Sequence, residues 1–143
     1  MWNLFHALDV DLSAVLPSNR FVLFIAREIE IETIAIPNTK PTLKAYIARQ
    51  MEDAGVQVTT TFGFAREDGG LERHGGFDVG TFQSDDERGF YAAVSKLYLL
   101  GRGDRGSGLT DNEGDAALGA ASLSSVVLTR DVKKAGPLRV ALE

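Results

Sequence analysis

The chain contains no cysteine, which excludes a disulfide framework, a thiolate zinc site and a thiol nucleophile. Histidine is almost as scarce. His6 and His74 are the only two, and at that separation they offer neither ligand spacing nor the makings of a triad. No apolar run approaches the length of a membrane span, and the amino terminus lacks a basic-then-apolar secretion signal. No membrane association is expected, and the default location is cytoplasmic. The glycine-rich stretch from Gly101 to Gly108 lacks the lysine of a phosphate-binding loop. It reads as a flexible connection in which Arg102 and Arg105 can touch a phosphate backbone.

What is present fits one domain of 143 residues, 44% hydrophobic and 24% charged, large enough to bury a core without staples. The formal charge of -5 argues against nucleic-acid binding driven by counterion release alone. It leaves open a metal-dependent nuclease, in which bound cations offset local acids and carry the phosphate contact.

Along the chain, Leu4, Phe5, Leu8 and Leu12 are spaced for one face of an amphipathic helix from Trp2 to Leu16, which Pro17-Ser18-Asn19 ends. Phe21 to Ile25 is continuously apolar, the mark of a strand buried on both faces in a parallel sheet. From Arg27 to Ile36, Glu28, Glu30 and Glu32 alternate with Ile29, Ile31 and Thr33. Local period favours a half-buried strand, although as a helix Glu28 and Glu32 would share a face. Lys40 to Ala54 carries Leu43, Tyr46, Ile47 and Met51 at helical spacing and ends at Gly55.

Val56 to Thr61 is rich in β-branched residues and reads as the next strand. Phe62 to Phe82, broken by repeated glycines, reads as a long surface loop or insertion. Ser84-Asp85-Asp86-Glu87 supplies a cap and an acidic first turn to a helix bearing Phe90, Tyr91, Val94, Leu97 and Tyr98. Strands and helices broadly alternate, so the expected architecture is a three-layer α/β/α sandwich with a mainly parallel sheet.

The most informative stretch is Asp111 to Asp131. Asp111, Glu113 and Asp115 open a small-residue helical pattern, followed by the strand-like run Ser125 to Leu128 and then Thr129-Arg130-Asp131. An acid at a helix start and an acid just past the next strand can converge on one point. Carboxylates gathered in that way are costly to keep charged without a cation, so a divalent-metal site is expected. A bland reading competes, with Asp111 as helix cap and Glu113 complementing the dipole. It explains Asp115 poorly, because that acid directly precedes the apolar Ala116-Ala117-Leu118. Asp131 lies where ligands collect in open α/β sheets, just beyond a strand's carboxyl end. The Thr129 hydroxyl can hold a carboxylate or a water beside it. The row Glu28, Glu30, Glu32 is most simply a solvated face.

The order Asp115, small-residue helix, apolar strand and Thr129-Arg130-Asp131 resembles the PIN domains, a family of metal-dependent ribonucleases that includes many toxins of toxin–antitoxin pairs. The upstream order of apolar strand, glutamate-bearing segment and long helix, from Phe21 to Ala54, fits as well. The resemblance makes the Arg27 to Ile36 segment a helix, with Glu32 where the family carries a glutamate and Glu28 one turn earlier. The sequence departs from the family at its start. PIN domains begin with an apolar strand ending in an aspartate, commonly followed by Thr-Asn, and nothing before Trp2 supplies one. The expectation is a chain that starts late, with Asp9 or Asp11 as the alternative stand-in.

The resemblance implies Mg²⁺ or Mn²⁺ held by Asp115, Asp131 and Glu32 and aided by Glu113, with Thr129, Asp111 and Glu28 in support. The implied activity is endoribonucleolytic cleavage of RNA, impaired if the first acid is missing. The alternative is a non-catalytic PIN-like module that binds RNA or protein. An antitoxin protein and a homodimer partner complete the expectations.

Overall fold

Two aspartates interrupt the amino-terminal amphipathic stretch, so it forms two short helices rather than one. α1 spans Trp2–Ala7 and α2 spans Leu12–Val15. Asp9 between them takes a left-handed backbone with φ 47°, a region that aspartate tolerates better than most side chains. Asp11 then starts the second helix, accepting the backbone N–H groups of Ser13 at 3.0 Å and Ala14 at 3.3 Å. The computed structural model describes residues 1–62, 74–75, 80–99, 109, 112–130 and 135–141.

Both short helices pack on α4, Pro41–Asp53. Leu43, Tyr46 and Ile47 form a buried cluster, with Trp2, Phe5, Ile36 and Met51 packed around it. Two polar groups fix this contact as well as fill it. The Tyr46 hydroxyl donates to the Val10 carbonyl at 2.6 Å, and the Gln50 amide oxygen accepts the Leu12 N–H at 2.7 Å. α4 ends where the sequence says it should. Gly55 has φ 61°, its N–H reaches the Glu52 carbonyl, and the Val56 N–H reaches Met51. That pair of bonds is the Schellman arrangement, which needs a residue comfortable with positive φ.

β1 is Phe24–Ala26, and β2, Gln57–Phe62, runs parallel to it with Phe24 opposite Gln57 and Ala26 opposite Thr59. Two further two-residue strands, β3 at His74–Gly75 and β4 at Gly80–Thr81, pair in parallel with the end of β2. The chain is therefore mixed α/β with a small parallel sheet. The segment read as a loop from Phe62 to Phe82 thus contributes to the sheet, while its residues 63–73 and 76–79 lie outside the described residues.

The apolar run at Phe21 is corrected on both length and burial. Only Phe24 to Ala26 are strand, and Phe21, Val22 and Phe24 are exposed. A continuous apolar run signals double burial only when layers cover both faces. Among the described residues β1 pairs with β2 alone, and this run stays open to solvent.

α3, Arg27–Ile34, begins on the residue after β1, so the local preference for a strand in this segment is overridden. Glu28 and Glu30 occupy its first turn, where the helix dipole favours acids. Arg27 pairs with Glu30 three residues on. Burial of Glu28 and Ile31 on one face rewards the period of a helix, and tertiary packing decides such short alternating segments.

α5, Asp85–Tyr98, opens with a full capping box between Ser84 and Glu87. α6, Glu113–Ala121, packs on α5, on α3 and on the short α7, Pro137–Val140. Ala116 and Ala120 are fully buried there with Val94 and Leu109. The run Ser125 to Leu128, expected as a strand, forms none: it follows α6 as irregular backbone, with Val126 92% exposed and Leu128 53% exposed. Its β-branched composition is a preference for a pleated, half-buried surface, and no described residue pairs with it to provide one. Among the described residues no helix is long and apolar enough to cross a membrane.

Candidate functional site

The strand-to-helix junction sets the first half of the site. Because α3 starts directly after β1, Glu28 is the second residue beyond the strand's carboxyl end, the place where parallel sheets bind ligands. It is 9% exposed. Glu32 follows one turn later, half-buried. The glutamates expected to share a face as a helix therefore do so, and Glu28 is the more enclosed of the two.

The second half is the start of α6. The cap position falls on Asn112 rather than on Asp111, with φ 66° and no side-chain capping bond. A left-handed cap suits asparagine. It delivers Glu113, 5% exposed, and the half-buried Asp115 into the first turn. Glu113 thus stands in the first turn, where an acid complements the helix dipole, and it is buried there.

What joins the halves is a glycine. α3 and α6 approach so closely at Gly114 that a Cβ there would lie 2.9 Å from Cδ1 of Ile29 and 3.3 Å from Oε1 of Glu32. Glu32 thus reaches the same turn of α6 that carries Glu113 and Asp115. The sequence reading did not single out Gly114. A glycine inside a helical pattern, lodged between two acids, was the available signal, since it costs helix stability and is kept where another element comes close.

The remaining expected residues do not join this group on what is described. Asp111 and Asp131 lie outside the described residues. Thr129 and Arg130 are exposed in the irregular segment after α6. Asp9 and Asp11, considered as substitutes for a first acid, sit on the segment that packs against α4. Asp11 spends one carboxylate oxygen on capping α2, and the Ser13 hydroxyl on that oxygen holds its pKa below the ordinary value. Asp9 pairs with Arg49 at 3.8 Å. Both have structural employment.

The donor set is all carboxylate, the chemistry that hard divalent cations favour. Among the described residues, however, no three acidic or histidine side chains gather closely enough to hold an ion. Glu32 and the first turn of α6 are thus a close approach of acid-bearing segments, and among the described residues they do not amount to a site for an ion. Comparison with family models, with curated proteins and with solved structures finds no match for this chain.

Proposed function

We propose that the chain is a PIN-like, metal-dependent endoribonuclease, a three-layer α/β/α domain working in the cytoplasm. The observation that carries this reading is the close approach at Gly114, which brings Glu32 of α3 to the turn of α6 bearing Glu113 and Asp115. Asp115, Glu32 and Asp131 hold Mg²⁺ or Mn²⁺ in this reading, and Glu113 and Glu28 back them from buried positions. The reading requires Asp131 to complete the set. The chemistry that a cation would supply if those residues held it is an activated water and neutralisation of charge on a phosphodiester. The protein's own part is to orient the carboxylates, through the packed contact of α3 with α6. RNA is the substrate of this reading, an antitoxin protein its regulator and a homodimer its assembly.

The test is Mn²⁺-dependent cleavage of structured RNA by this chain. Cleavage that disappears in Asp115→Asn supports the assignment. No cleavage, or cleavage that Asp115→Asn leaves intact, sinks the catalytic claim.

One observation favours a second reading, a non-catalytic PIN-like module that binds RNA or protein. Phe21 and Val22 just before β1, and Phe24 at its start, stand exposed, and exposed apolar surface of that kind is what a partner covers. Such a module would show no site-specific uptake of Mn²⁺.

A further inference from the structure

We infer that two copies of the chain exchange strands, residues 125–128 of each adding in parallel to the open edge of β1 in the other. The inference rests on the homodimer named above and on none of the acids of the candidate site. β1 is an edge, since among the described residues β2 is its one neighbour, and β3 and β4 both pair with β2. The Leu23 carbonyl accepts the Gln57 N–H at 2.9 Å, and Ile25 stands opposite Val58. A strand in a parallel ladder turns alternate residues to each side. Leu23 and Ile25 therefore serve β2, while Phe24 presents its N–H and C=O to the open edge. Val22 and Phe24 are exposed there, with Leu23 and Ile25 half-buried between and after them.

The same chain carries a matching strand that has no sheet. Residues 125–128 alternate as a half-buried strand does, with Ser125 and Val127 half-buried and Val126 and Leu128 exposed. Among the described residues their backbone makes no hydrogen bond and does not pair with β1. Neither residues 21–26 nor residues 123–129 carry a charge, so joining the two runs desolvates none. Two alignments set the exposed side chains of the runs beside each other. In the parallel one Val126 meets Val22, Leu128 meets Phe24, and Arg130 falls beside Ala26, at the acidic first turn of α3. In the antiparallel one Val126 meets Phe24, Leu128 meets Val22, and Arg130 falls beside the exposed Arg20. Opposite charges favour a cross-strand neighbour and like charges oppose it, so charge selects the parallel form, which also continues the ladder of β1 and β2. A stable dimer buries about 800 Å² on each partner, more than one short strand offers. Reciprocal exchange engages both runs of both chains and closes the pair about a two-fold axis.

The experiment follows mass by sedimentation over a range of chain concentrations for the full chain, Val126→Lys and Arg130→Glu, with each fold checked by circular dichroism. The full chain is expected to pass from monomer to dimer. Val126→Lys is expected to dimerise about tenfold or more weakly, because a lysine on the added strand blocks its pairing. Val126 is exposed, so this substitution leaves the monomer intact. Arg130→Glu is expected to weaken the dimer as well; a stronger dimer would put Arg130 beside Arg20 and overturn the parallel alignment. The lack of native cysteine opens a second measurement, thiol cross-linking of Phe24→Cys chains mixed with Leu128→Cys chains. Links between the unlike chains support the exchange. Links formed within one chain that carries both substitutions, at concentrations where it is monomeric, overturn it. A dimer that Val126→Lys leaves unchanged overturns this interface while the homodimer stands, and a chain that stays monomeric overturns both.

Discussion

The Ser124 hydroxyl donates a hydrogen bond to the Glu87 carboxylate at 2.6 Å, tying the turn that leaves α6 to the first turn of α5. The other Glu87 oxygen accepts the Ser84 N–H at 2.7 Å. The Ser124 bond, then the Ser84 backbone bond, hold the Glu87 pKa below the ordinary glutamate value. A carboxyl depressed in the folded state stabilises the fold above its unfolded pKa, and that contribution drains away as pH falls through the folded pKa. Urea unfolding of the chain and of Ser124→Ala, at neutral pH and on the acid side, checks this. Ser124→Ala is expected to be the less stable at neutral pH, with the gap closing in acid. A gap independent of pH contradicts it.

Gln50 is 1% exposed, and its amide oxygen is the partner that takes up the Leu12 N–H. Replacing it with leucine keeps the bulk and orphans a buried backbone donor. An unsatisfied group of that kind costs about 1–3 kcal/mol. Gln50→Leu should lower the stability measured in urea by that amount, even though the side chain is more apolar. An equal or higher stability would show that water or another acceptor serves Leu12.

At Gly119 two effects of alanine oppose each other. Helix propensity favours the substitution by about 1 kcal/mol. Forcing a methyl group against the Phe90 ring and the Pro137 backbone costs typically about 1–3 kcal/mol. The overpacking should win, so Gly119→Ala is expected to lower the thermal midpoint, and Phe90→Leu in the same chain to recover part of the loss. A rise in midpoint for the single substitution would mean that the contact relaxes freely.

Local signals with a physical mechanism were legible in the sequence. Ser84 with Glu87 forms the capping box, and Gly55 ends α4 with positive φ. Leu43, Tyr46 and Ile47 are the buried face expected of helical spacing. The failures share one cause, because each depended on what lies alongside. Phe21, Val22 and Phe24, with Val126 and Leu128, have the composition of buried strands but remain exposed, since a strand's burial is set by neighbours that sequence does not name. Asp9 and Asp11 divide a helical pattern that periodicity alone joins. Of the candidate site, Glu113 and Asp115 stand out by residue type and spacing, while Glu28 and Glu32 are singled out only by the resemblance to PIN domains. Gly114 is marked in the sequence only as a glycine between two acids inside a helical pattern, and the helix that it meets is visible only in the fold.

The central claim is that the acids of α3 and α6 belong to a site for a divalent cation. Its most direct test is calorimetric titration of Mn²⁺ into the full chain, into Asp115→Asn and into Glu32→Gln, with each fold checked by circular dichroism. The account predicts saturable binding at a fixed stoichiometry, weakened about tenfold or more by either neutralisation, since each removes a ligand rather than an outer-shell partner. Absent binding in the unmutated chain, or binding that survives both substitutions unchanged, would contradict it.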